Sequence, residues 1–173
     1  MGLFVNRLTP RHFIGVIVLI LLVSAGLRFW GLPGIPPGPH YDEAANGILT
    51  AEIANGIEPE RIVLAGFLQG GVVVLHAGLR YYKQLAGIIA LSTYLPLSDS
   101  LEAEKSDANA DTPILLAHGT ADPVIPVDQA YYSQMLLEKQ GYEVEWHEYK
   151  GMAHGVSEQE IFHLAEWLER RLV

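Results

Sequence analysis

Three short loops hold the side chains whose types and order could do chemistry: Leu68 in GFLQGG, Asp122 in HGTADPVIP and His154 in KGMAHGV. A side chain presented on a tight glycine turn, a carboxylate and an imidazole are the parts of a nucleophilic acyl-transfer site, in which the imidazole takes the nucleophile's proton. Turn residue, then acid, then histidine is one of the chain orders in which such triads occur. Here the turn residue is leucine, which has no atom able to attack a carbonyl. Each position also has an ordinary structural reading. Asp122 before Pro123 can start a turn, His154 before Gly155 can be a loop histidine, and His118 can simply end a strand.

The elements that must position these residues alternate in type. Residues 61–67 are a short apolar run that reads as a buried parallel strand, and a helix follows from Gln69 to about Tyr82. Leu85 to Ser92 and Thr112 to His118 read as two further buried strands, with Pro113 tolerable near the start of its strand. The polar, acidic stretch from Ser98 to Asp111 reads as a surface excursion or an irregular helix. Val127 to Gln140 is a helix stopped by Gly141. Tyr142 to Tyr149 alternates Tyr142, Val144 and Trp146 with Glu143, Glu145 and His147, the pattern of a half-exposed edge strand. Ser157 and Glu160 form a capping box, and Ile161, Leu164, Ala165, Leu168 and Leu172 line one face of the last helix. This order implies an α/β fold with a mostly parallel sheet of about four strands. Leu68, Asp122 and His154 then all follow strand carboxyl ends, where such sheets carry their chemistry.

Composition narrows the function classes. A chain of 173 residues has room for one domain with a sizeable core, and its net charge of −9 argues against a nucleic-acid partner, which needs a basic face. There is no cysteine, hence no disulfide, no thiolate nucleophile and no cysteine-based zinc site, and nothing calls for a metal or a cofactor.

Charge is unevenly divided. Before Asp42 the only charged side chains are Arg7, Arg11 and Arg28; all 20 acids lie from Asp42 onward. The uncharged run Phe13 to Leu27 is 15 residues long, short of the roughly 20 that cross a bilayer, but Arg28 can snorkel and Trp30 suits the interface. Residues 1–30 therefore read as a membrane anchor with a cytoplasmic N-terminus. The rivals are a signal peptide, with Val23-Ser24-Ala25 as its cleavage region, and a buried hydrophobic helix; the protein is expected to be membrane-anchored or exported. Residues 31–41, rich in proline and glycine, are a linker, and 42–173 a second domain that opens with helical spacing to about Asn55.

Two resemblances follow from these motifs. GFLQGG, LSTYLPL, HGTADPVIP and EYKGMAH, over roughly residues 50–173, resemble the carboxylesterase/phospholipase family of small serine hydrolases related to acyl-protein thioesterases. That resemblance implies an α/β-hydrolase fold and a small acyl ester or lipid substrate. It also implies Leu68 at the nucleophile position, Asp122 orienting His154 as general base, and the Gln69 N–H as an oxyanion donor. Residues of about 13–45, with LRFWGL and the Asp42-Glu43 pair, resemble the start of dolichyl-phosphomannose mannosyltransferase-like membrane glycosyltransferases, in which the aspartate is the base. The ordinary reading, Asp42 capping a helix with Glu43 in its first turn, is preferred, since no second long apolar run exists to build a sugar-lipid site.

The chain departs from the hydrolase pattern twice. Leu68 forbids an acyl-enzyme, and the early strands of the family, with the second oxyanion donor, are replaced by the apolar head. A truncated hydrolase would leave residues 61–67 as an unpaired edge prone to self-association. The expected function is a hydrolase-family domain without activity. The alternative is a non-enzymatic acyl-binding or scaffold domain, or a fused gene fragment.

Overall fold

A computed structural model of the chain describes residues 56–172. The apolar run at Phe13 to Leu27, the Pro/Gly linker and the Asp42-Glu43 helix lie outside the described residues. So do the motifs that carry the glycosyltransferase resemblance. Among the described residues no helix is long and apolar enough to cross a membrane.

Four strands form one sheet in the order β1 (Val63–Phe67), β2 (Gly87–Leu91), β3 (Ile114–Gly119), β4 (Val144–Tyr149), with every neighbouring pair parallel. Helices α1 (Gln69–Arg80), α2 (Ser98–Glu104), α3 (Val127–Lys139) and α4 (Glu158–Leu172) make the connections and the C-terminus. Every residue of β2 and β3 is buried, as expected of parallel strands covered on both faces. Alternate residues serve opposite cores. Ile88 and Ala90 pack with Leu75, Leu79 and Leu137 of α1 and α3 on one side; Ile89 and Leu91 pack with Trp167 and Leu168 of α4 on the other.

Two expectations are sharpened. Of the two readings of residues 98–111 the irregular helix holds and the surface excursion does not: α2 and a 3-10 turn at Asp107–Asn109 bury Leu101 and Asn109. Asn109 accepts from the Leu85 N–H (2.9 Å) and the Thr112 hydroxyl (2.7 Å) and donates to the Tyr81 (2.7 Å) and Lys83 (2.9 Å) carbonyls, tying the start of β3 to the turn before β2. The face of α4 is also rotated from the expected one. Trp167 is fully buried while Ile161 is 44% exposed, because the buried line runs through Glu160, Leu164, Trp167 and Leu168, one residue away from Ile161. A Cβ at Gly87 would overlap the Trp167 ring, so the indole fills the space that glycine leaves at the start of β2.

The capping box is present: the Ser157 hydroxyl accepts from the Glu160 N–H at 3.1 Å, and the Glu160 carboxylate accepts from the Ser157 N–H at 3.4 Å. β4 is half-buried, with Val144 and Trp146 packed on the first core. Among the described residues, β1 pairs with β2 alone and so is an edge of the described sheet.

Candidate active site

A single residue, Leu68, joins β1 to α1. Leu68 has φ 54° and ψ −116°, a region that costs a residue with a Cβ about 1–3 kcal/mol. Its neighbours make the turn possible. A Cβ at Gly66 would overlap the Gly70 carbonyl, and one at Gly71 would come within 2.6 Å of the Thr93 methyl, whereas Gly70 faces open space. Hydrogen bonds then hold the geometry: the Leu68 N–H donates to the Leu91 carbonyl (3.0 Å), and the Leu68 carbonyl accepts from the Val72 N–H (3.1 Å) and the Thr93 hydroxyl (2.7 Å). Gln69 is the exposed first residue of α1, so its N–H is among those that have no acceptor within the helix.

Asp122 and His154 come from different loops that are stitched together. Thr120 N–H donates to the Tyr149 carbonyl and Ala121 N–H to the Met152 carbonyl, both at 3.0 Å; Gly151 N–H donates to the Thr120 hydroxyl at 2.8 Å. A Cβ on Gly119 would strike the Met152 carbonyl, so this approach requires glycine at the end of β3. The result is a hydrogen bond of 2.7 Å between His154 Nδ1 and Asp122 Oδ2. Asp122 Oδ1 accepts two further bonds, from Val124 N–H (2.8 Å) and Ile125 N–H (3.0 Å). Burial pushes the Asp122 carboxyl up, but the His154 bond and the two amides outweigh it and hold the group below its ordinary value. An ionised Asp122 oxygen only accepts, so Nδ1 is the nitrogen that donates in this bond. Nε2 is buried and has no partner among the described residues.

The imidazole lies against the turn: the rings of Phe67 and His154 are 4.8 Å apart, centre to centre. The structure thus brings Asp122 and His154 into contact and sets them beside the residue that precedes Leu68. A hydroxyl on the residue-68 side chain could pass its proton to such an imidazole; the hydrocarbon of Leu68 cannot. Two residues near the site were given no functional role from the sequence. Thr93 braces the turn, and His118, read as a strand end, sits fully buried with Nε2 2.9 Å from the Ile125 carbonyl and 3.5 Å from Asp122 Oδ2. The HG pair closing an apolar strand four residues before Asp122 was the available signal for His118. Among the described residues no group of His, Asp or Glu could hold a metal ion.

A family model described as phospholipase/carboxylesterase matches residues 40–172. The chain belongs to that family. It is similar to an acyl-protein thioesterase 1 from Gibberella zeae, 40% identical over 129 residues, covering 73% of this chain and 55% of the relative. Carboxylesterase SOBER1 from Arabidopsis thaliana is 32% identical over 160 residues, 86% of this chain and 70% of the relative. The crystal structure of SOBER1 superposes with a TM-score of 0.73 at 31% identity, covering 76% of this chain and 63% of that one. The four parallel strands and their helices are therefore those of a carboxylesterase-family α/β-hydrolase domain. The chain spans about half the length of the first of these relatives, and of two other fungal acyl-protein thioesterases. The family match begins at residue 40, earlier than the motifs alone reach, and takes in the Asp42-Glu43 pair.

Proposed function

We propose that the domain is a phospholipase/carboxylesterase-family module whose acid and base, Asp122 and His154, are retained while Leu68 abolishes the nucleophile, so that it binds an acyl ester or lipid without forming an acyl-enzyme. The observation that carries this reading is the 2.7 Å Asp122–His154 bond beside a leucine held at φ 54° and ψ −116°. In this reading the Gln69 N–H is the oxyanion donor that the turn supplies. Removing a triad nucleophile leaves a residual enhancement of about 10³–10⁴ over water at best. The test is hydrolysis of a p-nitrophenyl ester by the natural chain and by Leu68→Ser. The natural chain is expected to show no burst and no turnover above that residual level. Leu68→Ser is expected to gain turnover that His154→Ala then abolishes. A Leu68→Ser chain that folds and stays inactive would instead favour an acyl-binding or scaffold domain with no latent chemistry.

Two further parts of the proposal concern partners. Residues 1–30 act as a membrane anchor or a cleaved export signal, joined by the 31–41 linker; the pattern of Arg7, Arg11 and the uncharged run supports this. Resistance to carbonate extraction indicates an anchor, and a mature N-terminus near Gly26 indicates cleavage. β1, paired on one side among the described residues, offers an edge for self-association. A monodisperse, cooperatively melting monomer in sedimentation and calorimetry overturns that part.

A further inference from the structure

His118 is the buried titratable group beside the site to which the hydrolytic reading gives no role. Its side chain is 1% exposed at the end of β3, directly under the turn that carries Asp122. Its Nε2 is 2.9 Å from the Ile125 carbonyl oxygen. A carbonyl oxygen only accepts, so Nε2 carries a proton. Nδ1 is buried with no partner among the described residues, and a proton there would be a buried donor without an acceptor. The surroundings therefore select the neutral Nε2–H tautomer. That same N–H faces Asp122 Oδ2 at 3.5 Å, on the oxygen that receives His154 Nδ1.

Ile125 is gripped at both of its backbone polar atoms: its N–H by Asp122 Oδ1 at 3.0 Å, its carbonyl by His118 at 2.9 Å. The Asp122–Ile125 turn hangs between these two bonds. Nothing else about His118 needs an imidazole, because a side chain that merely filled the space could be apolar.

We propose that His118 is a positioning residue: as a neutral donor it holds the Asp122–Ile125 turn closed through the Ile125 carbonyl and so keeps Asp122 Oδ2 under His154 Nδ1. The inference rests on the reading of Asp122 and His154 as the acid and base of the site.

The test uses the full chain labelled with ¹⁵N-histidine. In the natural protein the ¹⁵N shifts of His118 are expected to report a protonated Nε2 and a bare Nδ1; the opposite tautomer overturns the proposal without any variant. His118→Gln places an N–H near the Nε2 position and His118→Asn places one near Nδ1. The hydrogen-bonded His154 Nδ1 proton, a far-downfield resonance, is expected to persist in His118→Gln and to vanish in His118→Asn. Retention in both, or loss in both, overturns the proposal. On the Leu68→Ser background kcat/KM should fall about 100-fold in His118→Asn with KM nearly unchanged, and be rescued in His118→Gln, since a displacement near 1 Å has an effect of that size. If Leu68→Ser is itself inactive, the hydrolytic reading fails, while the tautomer and the His154 resonance still decide the role of His118.

Discussion

The Thr93 hydroxyl donates a 2.7 Å hydrogen bond to the Leu68 carbonyl, tying the end of β2 to the turn between β1 and α1. The same side chain leaves no room for a Cβ on Gly71, so one residue braces the turn by both hydrogen bonding and shape. Thr93→Val keeps the shape and removes only the donor. The substitution is expected to lower unfolding free energy by about 1 kcal/mol, the net worth of one such bond, in urea denaturation. Unchanged stability would show that the bond does not brace the turn.

At Leu68 the usual ranking of alanine over glycine should reverse. With φ 54° and ψ −116°, any residue with a Cβ is strained there, and glycine is not. Leu68→Gly is expected to be more stable than Leu68→Ala by about 1–2 kcal/mol, although glycine leaves the unfolded chain freer. Both variants lose the same hydrocarbon apart from one methyl group, so the comparison isolates backbone strain. An alanine variant as stable as the glycine one would mean the turn relaxes.

Asn109 joins three segments through four hydrogen bonds and is fully buried. Asn109→Ala leaves the Leu85 N–H and the Tyr81 carbonyl without their partner. The expected loss is about 3 kcal/mol or more, larger than the typical point substitution, because buried polar groups are left unsatisfied. Asn109→Asp restores the acceptor but not the donor and should recover only part. Calorimetric midpoints of the three proteins check the order.

Glu160 introduces a pH dependence of the opposite sign to that of most carboxylates. Burial pushes its carboxyl up from 4.5 to about 7, against the Ser157 N–H bond that favours the ionised form. The folded state therefore keeps a proton that the unfolded chain releases above about 4.5, and stability falls as pH rises from about 4.5 to about 7, then levels off. The full effect is at most roughly 3 kcal/mol. Glu160→Gln keeps an acceptor for the cap and removes the ionisation. Relative to the natural chain, it is expected to be more stable at pH 8, with the advantage gone at pH 4. Asp122, held below its ordinary value, contributes the reverse: stability that is lost as pH falls through its folded pKa. Urea midpoints measured across pH for both proteins separate the two; a constant difference between them would mean Glu160 does not titrate in this window.

What could be read from the sequence follows one physical rule. Strands buried on both faces must be apolar throughout, and a helix on a sheet must repeat its apolar side every three or four residues, so β2, β3 and the ends of α1 and α3 were legible from local pattern. Motif order also gathered the candidate residues, because the ends of parallel strands share one side of the sheet: Leu68, Asp122 and His154 were named from their loops after predicted strands, their chain order and the family resemblance. Local pattern is blind to what a polar residue meets across the fold. Asn109 in an acidic stretch looks solvent-facing, yet it closes a network between the turn before β2 and the start of β3. Ile161 looks like core and is exposed, since the space at Gly87 selects Trp167 and rotates α4. His118 looks like a strand end until the Ile125 carbonyl and Asp122 arrive from residues after it. Residue types and their order determined which groups the domain possesses. The tertiary structure alone decided that Asp122 meets His154 at 2.7 Å and that Leu68 takes a strained turn, because that geometry depends on segments distant in sequence that the parallel sheet brings side by side.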